Sequence, residues 1–236
     1  MVMTSVNVSV IIPIHNEEGT LRELHQRITG VFNLLPHINK YEIIFVDDCS
    51  NDGSNTVLNE IQGIDKKCII YEHDKRMGQT GAFKTGFDNA RYEVCITMDG
   101  DLQVFPEDIP RLLEHMNCCD LVNARRRMRK DKFITILSSM FYNLLTKVIF
   151  KSPASDSASN FTVVRTHYVK NLNMQKNDHR YIVPIVIGRG GIIFKEIDVD
   201  HFPRQYGKSK YSLFKAWQGI FELFEFKRRL RNGLYR

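Results

Sequence analysis

Short apolar runs alternate with segments of helical spacing through the first half of the chain. Apolar runs rich in β-branched residues are typical of buried strands, whereas apolar residues three and four positions apart indicate amphipathic helices. The sequence predicts strands at Val6–Pro13, Tyr41–Val46, Cys68–Tyr71, Val94–Met98 and Asp120–Ala124. Between them it predicts helices over Leu21–Leu35, with Asn16 as the N-cap residue, over Ser54–Gln62, in the glycine-containing segment after Gly78, and over Pro106–Met116.

This alternation predicts the α/β class, with a mostly parallel central sheet flanked by helices. In such sheets ligands bind beyond the carboxyl ends of the strands. Acids and amides follow three of the predicted strands: Asn16 and Glu17 the first, Asp47 and Asp48 the second, Asp99 and Asp101 the fourth. Three strands that deliver such groups to one edge favour a metal–nucleotide site over ordinary surface charge.

The segment Asp99-Gly100-Asp101 carries the strongest candidate chemistry. In an extended chain, residues two apart point to the same side, so both carboxylates can face one spot. Gly100 adds no side chain there and lets a ligand approach the backbone. Two neighbouring anions repel unless a cation lies between them, and carboxylates with phosphate oxygens suit Mg²⁺ or Mn²⁺. The alternative is an acidic surface turn, since the motif is short.

The second half of the chain predicts two further strands, Phe161–Val164 and Ile192–Val199. A helical stripe from Phe133 to Phe150 is typical of a helix packed on the domain, although a helix facing lipid or a second copy would show the same pattern. The polar loop Lys151–Asn160 follows, with Asp156 as its only acid. That acid is either a turn residue or a functional one.

Basic residues cluster in three places. The run Arg125–Lys130 follows the fifth predicted strand, where arginines can bind phosphate bidentately; without interleaved aromatic residues it does not indicate nucleic-acid binding. The loop Arg204–Tyr211 could fold over a diphosphate or be a basic linker. From Tyr211 the chain predicts a basic amphipathic helix, typical of a membrane surface, or packed on the core or a dimer partner. We therefore predict two units, 1–210 and 211–236.

The net charge suits an anionic partner, which can be a nucleotide, a nucleic acid or an anionic membrane surface, and the cysteines suit a cytosolic protein. The 236 residues are 43% hydrophobic and carry a formal net charge of +6. The five cysteines show no C-x-x-C spacing and are read as reduced thiols. The first residues lack the pattern of a signal peptide, and no apolar run reaches the length of a membrane span.

The ordered motifs Val10–Glu18, Val46–Ser54, Met98–Gln103 and Arg204–Tyr211, with a weaker match at Ala124–Asp131, resemble family-2 glycosyltransferases of the GT-A fold. Within that family the chain is similar to polyprenyl-phosphate sugar transferases, the dolichol-phosphate mannosyltransferases and bacterial undecaprenyl-phosphate glycosyltransferases. The resemblance covers nearly the whole chain.

The resemblance implies a role for each matching residue. The residues implied to surround the nucleoside are Pro13, His15, Glu17, Val46 and Asp48. Those implied to hold the Mg²⁺ or Mn²⁺ ion that bridges the diphosphate are Asp99, Asp101 and Gln103. Arg126, Arg204 and Lys210 would grip the diphosphate or the acceptor phosphate, and Gly100 and Lys84 belong to the same donor-binding set. Asp101 and Asp156 are the predicted catalytic residues, with Asp156 near the acceptor.

Several residues depart from the family's pattern. Family members usually carry an aromatic residue where His15 stands, and a common alanine is replaced by Gly100. Asn160 and Thr162 stand where some relatives have an acid and an arginine. Many relatives continue into transmembrane helices, whereas this sequence ends at Arg236, so we expect membrane contact to be peripheral or supplied by a partner.

The predicted function is a metal-dependent, inverting transfer of a hexose from a UDP- or GDP-linked sugar to polyprenyl phosphate, at the cytoplasmic face of a membrane. A lipid phosphate is largely ionised at neutral pH, so it needs no strong protein base, whereas a hydroxyl acceptor would need one, with Asp156 as the candidate. Alternatives are transfer to a saccharide hydroxyl in polysaccharide synthesis, or a subunit that binds a nucleotide sugar without turnover. The prediction also includes a homodimer or a membrane partner.

Overall fold

The computed structural model describes residues 6–127, 143–157, 159–191, 193–203 and 213–235. The strands are β1 (Val6–Ile14), β2 (Ile38–Asp47), β3 (Cys68–Glu72), β4 (Val94–Thr97), β5 (Leu121–Arg127), β6 (Thr162–Arg165) and β7 (Phe194–Asp200). The α-helices are α1 (Leu21–Asn33), α2 (Ser54–Ile64), α3 (Gly78–Asn89), α4 (Ile109–Leu113), α5 (143–150), α6 (Ile182–Gly188) and α7 (Leu213–Arg231). Short 3₁₀ turns cover Pro106–Asp108, Thr166–Tyr168 and Asp178–Tyr181.

The strands form one seven-stranded sheet in the order β3-β2-β1-β4-β6-β5-β7. Strand β6 runs antiparallel to both of its neighbours, β4 and β5, and every other pair is parallel. Six strands therefore end at the same edge, which confirms the predicted α/β class and its mostly parallel central sheet. The polar residues that follow β1, β2 and β4 are brought to that edge.

Each face of the sheet is covered by helices over its own apolar core. Alternate residues of β1 point to opposite faces, so Val10 and Ile12 pack with α1 and α2, whereas Ile11 packs with α3. Helix α3 lies unusually close to the sheet, because a Cβ at Gly86 would stand 2.2 Å from Ile11 Cγ2. The start of α3 is held near the strand ends by the Gly78 N–H, which donates to Asp48 over 2.8 Å.

Some element boundaries differ from the predictions. Asn16 is not an N-cap residue: α1 begins at Leu21 after Thr20, while Asn16 adopts a left-handed conformation with φ 60°. The predicted helix over Pro106–Met116 is a 3₁₀ turn followed by the five-residue α4. Helix α6 was not predicted. Its run Ile-Val-Pro-Ile-Val-Ile-Gly is short and contains a proline, so it carries little helical signal.

The last helix packs on the domain through one of its faces. Leu223 and Phe226 are fully buried, and the Phe226 ring stacks on Tyr181 with centroids 4.2 Å apart. The opposite face leaves Phe221 and Phe224 exposed. Among the described helices, none combines the length and the apolar composition needed to cross a lipid bilayer.

A buried cluster of charged and polar groups fastens this helix, and we call it the Asp178 cluster. Arg229 forms an ion pair with the fully buried carboxylate of Asp178, 2.5 Å away, and the Tyr235 hydroxyl donates to the same carboxylate over 2.6 Å. Arg229 also donates to the Tyr235 oxygen, and the Gln175 N–H donates to Asp178. The buried carboxylate is therefore paired with a cation and accepts further hydrogen bonds, which is the condition for burying a charge stably.

All five cysteines are free, as the sequence predicted. Cys68, Cys95 and Cys119 are buried, whereas Cys49 and Cys118 are exposed. Burial raises the pKa of Cys95 to about 12, so this thiol is protonated and unreactive.

Candidate functional site

The loops after β1 and β2 interlock at the carboxyl edge of the sheet. The His15 ring Nδ1 lies 3.0 Å from the Asp48 carbonyl oxygen, to which it donates. The Asn16 amide donates to the Asn51 side chain over 2.7 Å, and the Asn51 N–H donates back to Asn16 over 2.8 Å. The Glu17 N–H donates to the Ser54 hydroxyl. These bonds hold the predicted nucleoside-binding residues on a rigid rim, since each loop closes the other.

The Asp48 carboxylate is fixed by the segment that leads into α3. It accepts hydrogen bonds from the N–H groups of Met77 and Gly78, at 2.7 and 2.8 Å, and from His73 Nδ1 at 2.9 Å. Burial alone would raise the pKa of Asp48, but the bonds from His73 and the two N–H groups outweigh it and lower the pKa below its ordinary value. Asp48 is therefore an anion that shapes the rim.

The loop after β4 carries the two candidate metal ligands. Asp101 is 4% exposed and accepts a bond from the Gln103 N–H. Leu102, between Asp101 and Gln103, has φ 56°. This left-handed conformation costs a bulky residue about 1 kcal/mol or more. A Cβ at Gly100 would meet Ile14 Cδ1 at 2.7 Å and point into the interior. The absent side chain therefore relieves packing against β1 and does not open the backbone to a ligand.

Asp99 is oriented by two amides from different parts of the chain. Gln79, at the start of α3, donates to its Oδ1 over 2.6 Å, and the Asn160 amide lies 3.1 and 3.2 Å from its two oxygens. Asn160 is the last residue of the Lys151–Asn160 loop, so this loop is tied directly to the candidate metal ligand. A carboxylate at position 160 would repel Asp99, whereas the amide supports it.

The donor set of this loop suits a hard divalent cation. Asp99 and Asp101 offer carboxylate oxygens, and Gln103 offers an amide oxygen while its Nε2 donates to the Phe202 carbonyl over 3.2 Å. Oxygen-only sets with one or two carboxylates are the ligands of Mg²⁺ and Mn²⁺. The three residues therefore fit such an ion. The Phe202 N–H also bonds to the Gln103 carbonyl, which joins the segment after β7 to this loop.

Asp156 and Arg126 form a bidentate ion pair beside the end of β5. Arg126 Nε and Nη2 lie 2.8 and 2.9 Å from the two carboxylate oxygens, and both side chains are largely buried. Glu196 on β7 accepts the N–H groups of Ser155 and Asp156. The pair therefore occupies a preorganised position, with the arginine oriented by the acid.

The remaining predicted site residues are placed as follows. Pro13 is half-buried at the end of β1, and Val46 is buried in β2. Lys84 lies on α3 and forms an ion pair with Asp88, one turn further along the helix. Arg204 and Lys210 lie outside the described residues, as do Arg129 and the Phe133–Tyr142 part of the helical stripe.

Sequence reasoning missed three groups near the edge. His73 follows β3, and applying the strand-end rule to that strand would have found it. Gln79 carries no signal in the sequence, because its partner lies 20 residues away. His179 lies behind the rim, where its Nδ1 is 2.7 Å from the Thr80 hydroxyl. Burial, together with nearby Arg180, lowers the pKa of His179 to about 3, so its ring is neutral.

The arrangement can be compared with known proteins. The sequence profile described as glycosyl transferase family 2 matches residues 9–202. The undecaprenyl-phosphate 4-deoxy-4-formamido-L-arabinose transferase of Proteus mirabilis is 34% identical over 219 residues. The dodecaprenyl-phosphate galacturonate synthase of Rhizobium johnstonii is 31% identical over 230 residues. The alignments cover 92% and 93% of this chain, which spans only 66% of the length of either relative.

Solved structures with a similar fold have low sequence identity. Mannosyl-3-phosphoglycerate synthase from Rubrobacter xylanophilus superposes with a TM-score of 0.71 at 16% identity, over 97% of this chain and 75% of that one. Glucosyl-3-phosphoglycerate synthase from Mycobacterium tuberculosis, in complex with Mn²⁺, UDP-glucose and phosphoglyceric acid, gives 0.66 at 17% identity, over 94% and 80%. At this identity the likeness concerns the fold, which is that of GT-A glycosyltransferases.

Proposed function

The chain belongs to glycosyl transferase family 2 and has the GT-A fold of these enzymes, and from this premise we propose that it transfers a sugar from a nucleotide diphosphate sugar to polyprenyl phosphate. The observation that carries the proposal is Asp99, held by Gln79 and Asn160 at the edge where the loops after β1 and β2 interlock. The acceptor class is that of the relatives, an undecaprenyl-phosphate transferase and a dodecaprenyl-phosphate synthase.

In this proposal the rim binds the donor. Pro13, His15, Glu17, Val46 and Asp48 surround the nucleoside. His15 presents its imidazole where an aromatic ring is usual, and its ring orientation is fixed by the bond to the Asp48 carbonyl. Because the relatives' names include both a galacturonate and a formamido-arabinose, the hexose that the sequence predicts is one candidate among the sugars to be tested.

Asp99, Asp101 and Gln103 would hold a Mg²⁺ or Mn²⁺ ion, which when bound neutralises the charge that develops on the departing diphosphate. The amides of Gln79 and Asn160 keep Asp99 in position for this role, and Gln103 is aligned by its bond to Phe202. Arg204 and Lys210, with Lys84 from α3, complete the proposed cationic surroundings of the diphosphate.

The acceptor side is proposed to work without a protein base. A phosphomonoester has a second pKa of about 6, so a lipid phosphate is already an anion at neutral pH. Asn160 cannot accept a proton as an acid would, and it donates to Asp99. The two carboxylate oxygens of Asp156 accept hydrogen bonds from the Arg126 guanidinium. We propose that Arg126 binds a phosphate and that Asp156 aligns the Arg126 guanidinium. The acceptor phosphate would attack the sugar from the side opposite the leaving group, which inverts the anomeric centre.

The described end of α7 supports a peripheral contact with a membrane. Phe221 and Phe224 are exposed on the face away from the core, beside the exposed cations Lys227, Arg228 and Arg231. Exposed aromatic and basic side chains on one helix favour an anionic lipid surface. The division into 1–210 and 211–236, and the cytoplasmic face of the membrane, remain predictions, as does a dimer.

The test is a transfer assay. The protein, Mn²⁺ or Mg²⁺, and labelled UDP- and GDP-sugars are incubated with polyprenyl phosphate, and label is measured in the organic extract. We expect lipid-linked label that requires the phosphate, with none on unphosphorylated polyprenol. Label on soluble saccharides, with none on lipid phosphate, would refute the lipid acceptor and favour the alternative in which Asp156 is the base.

The subunit alternative makes a different prediction. A protein that only binds nucleotide sugar would show heat of binding in calorimetry and no labelled product with any acceptor. Replacing Asp156 by Asn separates the remaining two roles. As a base, Asp156 controls the pH dependence of kcat. As a residue that aligns Arg126, it mainly affects KM for the acceptor phosphate.

A further inference from the structure

A second group of metal-ligating side chains lies away from the rim. His25 on α1, Asp65 directly after α2 and Cys68 at the first position of β3 come from three different elements. Cys68 begins its strand, so the group lies at the amino end of β3, whereas the candidate site lies at the carboxyl ends. None of the three residues has a role in the proposed reaction.

We propose that His25, Asp65 and Cys68 bind a borderline-soft divalent cation, with Zn²⁺ as the physiological ion. Their ligand atoms, one nitrogen, one oxygen and one sulfur, all lie within 4.8 Å of one another. Ligands of tetrahedral Zn²⁺ at bond lengths of about 2.0–2.3 Å stand roughly 3.5 Å apart. A contraction of at most about 1.3 Å, from the 4.8 Å limit to roughly 3.5 Å, therefore brings the three atoms to coordination distance.

The side chains already point to a common centre. His25 Nε2 lies 3.0 Å from Asp65 Oδ2, so the ring nitrogen that would bind the ion faces the other ligands. The Thr29 hydroxyl lies 3.4 Å from the same nitrogen, and we propose that it or a water molecule fills the fourth position. The second oxygen of Asp65 accepts the Lys67 N–H, which fixes the carboxylate.

The charges of the three ligands would balance those of a divalent ion at this largely buried point, although burial itself raises the pKa of the Cys68 thiol. Zn²⁺ with one thiolate, one carboxylate and one neutral imidazole is a neutral set, which is the form that a buried position tolerates. His25 and Cys68 are 8% and 2% exposed, while Asp65 remains partly exposed and offers a route from solvent. On binding, the Cys68 thiol loses its proton to solvent, and the imidazole proton moves to Nδ1.

Cobalt substitution tests the proposal directly. Co²⁺ is added to the purified full chain, and the thiolate-to-cobalt charge-transfer band and the ligand-field bands of four-coordinate cobalt are recorded. We expect one equivalent of Co²⁺ to produce both the charge-transfer band and the ligand-field bands. Co²⁺ at the oxygen ligands Asp99 and Asp101 gives no thiolate band, so binding there is distinguishable. Zn²⁺ should abolish the bands by displacement.

Variants assign the signal. The charge-transfer band should disappear in Cys68→Ser. In His25→Gln the affinity for Co²⁺ should fall at least tenfold. The band should persist in Cys118→Ser, which removes an exposed thiol elsewhere. Zn²⁺ should also raise the unfolding temperature of the wild type by a few degrees at ~100-fold excess over Kd, and not that of His25→Gln. No band in the wild type, or a band that persists in Cys68→Ser, would leave only a hydrogen-bonded packing cluster.

Discussion

Two aspartates in different regions are held by similar numbers of partners, but their pKa values are shifted in opposite directions. Asp48, on the candidate donor rim, accepts two backbone N–H groups and an imidazole, and its pKa is lowered. Asp178, under the last helix, is bound by Tyr235, Gln175 and Arg229, yet its pKa is raised because burial outweighs all of them. The Asp178 carboxyl is fully inaccessible, whereas Asp48 keeps 3% of its surface.

The difference separates a carboxylate that shapes a binding edge from one that fastens an element. At the rim, short loops supply N–H groups that favour the anion without closing the edge to ligands. In the Asp178 cluster the carboxyl group has no contact with solvent, and only its ion pair and hydrogen bonds with protein groups stabilise it. We therefore expect losses at the rim to appear in binding and turnover, and losses in the cluster to appear in stability.

The largest effect is expected at the rim. Asp101→Asn removes a proposed metal ligand and should lower metal-dependent turnover about 10³-fold, or about 4 kcal/mol of transition-state stabilisation, with little change in the unfolding temperature. Glu114→Gln, an exposed acid at the end of α4, is the matched control and should retain wild-type turnover. An unchanged rate in Asp101→Asn would refute the metal assignment.

The complementary change is in the Asp178 cluster. Arg229→Met leaves a buried carboxylate without its cation and should lower the free energy of unfolding by about 3 kcal/mol, measured by urea denaturation. The folded fraction should bind nucleotide sugar with the wild-type affinity. Lys227→Met, an exposed cation on the same helix, is the control. A loss of donor binding without a loss of stability would contradict the division of roles.

A smaller effect is expected from the amides around Asp99. Gln79→Leu removes a 2.6 Å hydrogen bond and should weaken metal affinity about tenfold while kcat at saturating metal stays near that of the wild type. Gln26→Leu, exposed on α1, should change neither quantity. Metal titrations of activity measure both. A tenfold fall in kcat at saturation would instead indicate that Gln79 contacts the substrate.

The smallest effects concern the pH dependence of stability. A lowered folded pKa at Asp48 adds stability that is present above the ordinary pKa of 3.8 and is lost as pH falls through the folded value. A raised folded pKa at Asp178 does the reverse, since stability falls as pH rises from 3.8 to the folded value. Asp48→Asn and Asp178→Asn should therefore flatten opposite flanks of the stability profile. A change of slope in the same direction in both variants would contradict the opposite pKa shifts.

Much of the rim could be predicted from the sequence because it follows from local rules. Apolar runs marked the strands, and the carboxyl-end rule brought Asp48, Asp99 and Asp101 to one edge before any contact was known. The family resemblance was confirmed by the profile over residues 9–202. The individual site roles remain predictions.

The partners of these acids could not be predicted, because they depend on distant parts of the chain. Asn160 reaches Asp99 from 61 positions away, and Asp156 reaches Arg126 from 30. Asn16 failed as an N-cap residue for the same reason, since its side chain is engaged by Asn51 on the neighbouring loop. The Asp178 cluster joins Asp178 to Tyr235 across 57 positions, and no periodic pattern reports such a pair.

The antiparallel strand β6 has a consequence for the order in which the chain folds. In the described sheet, β5 pairs with β6 and β7 alone, and both come later in the sequence. Strands β1 to β4 can pair among themselves once the chain has been synthesised to Thr97, whereas β5 has no partner until Thr162 and then Phe194 have been added. In chains whose synthesis is arrested before Thr162, hydrogen exchange should therefore show β1 protected and β5 unprotected.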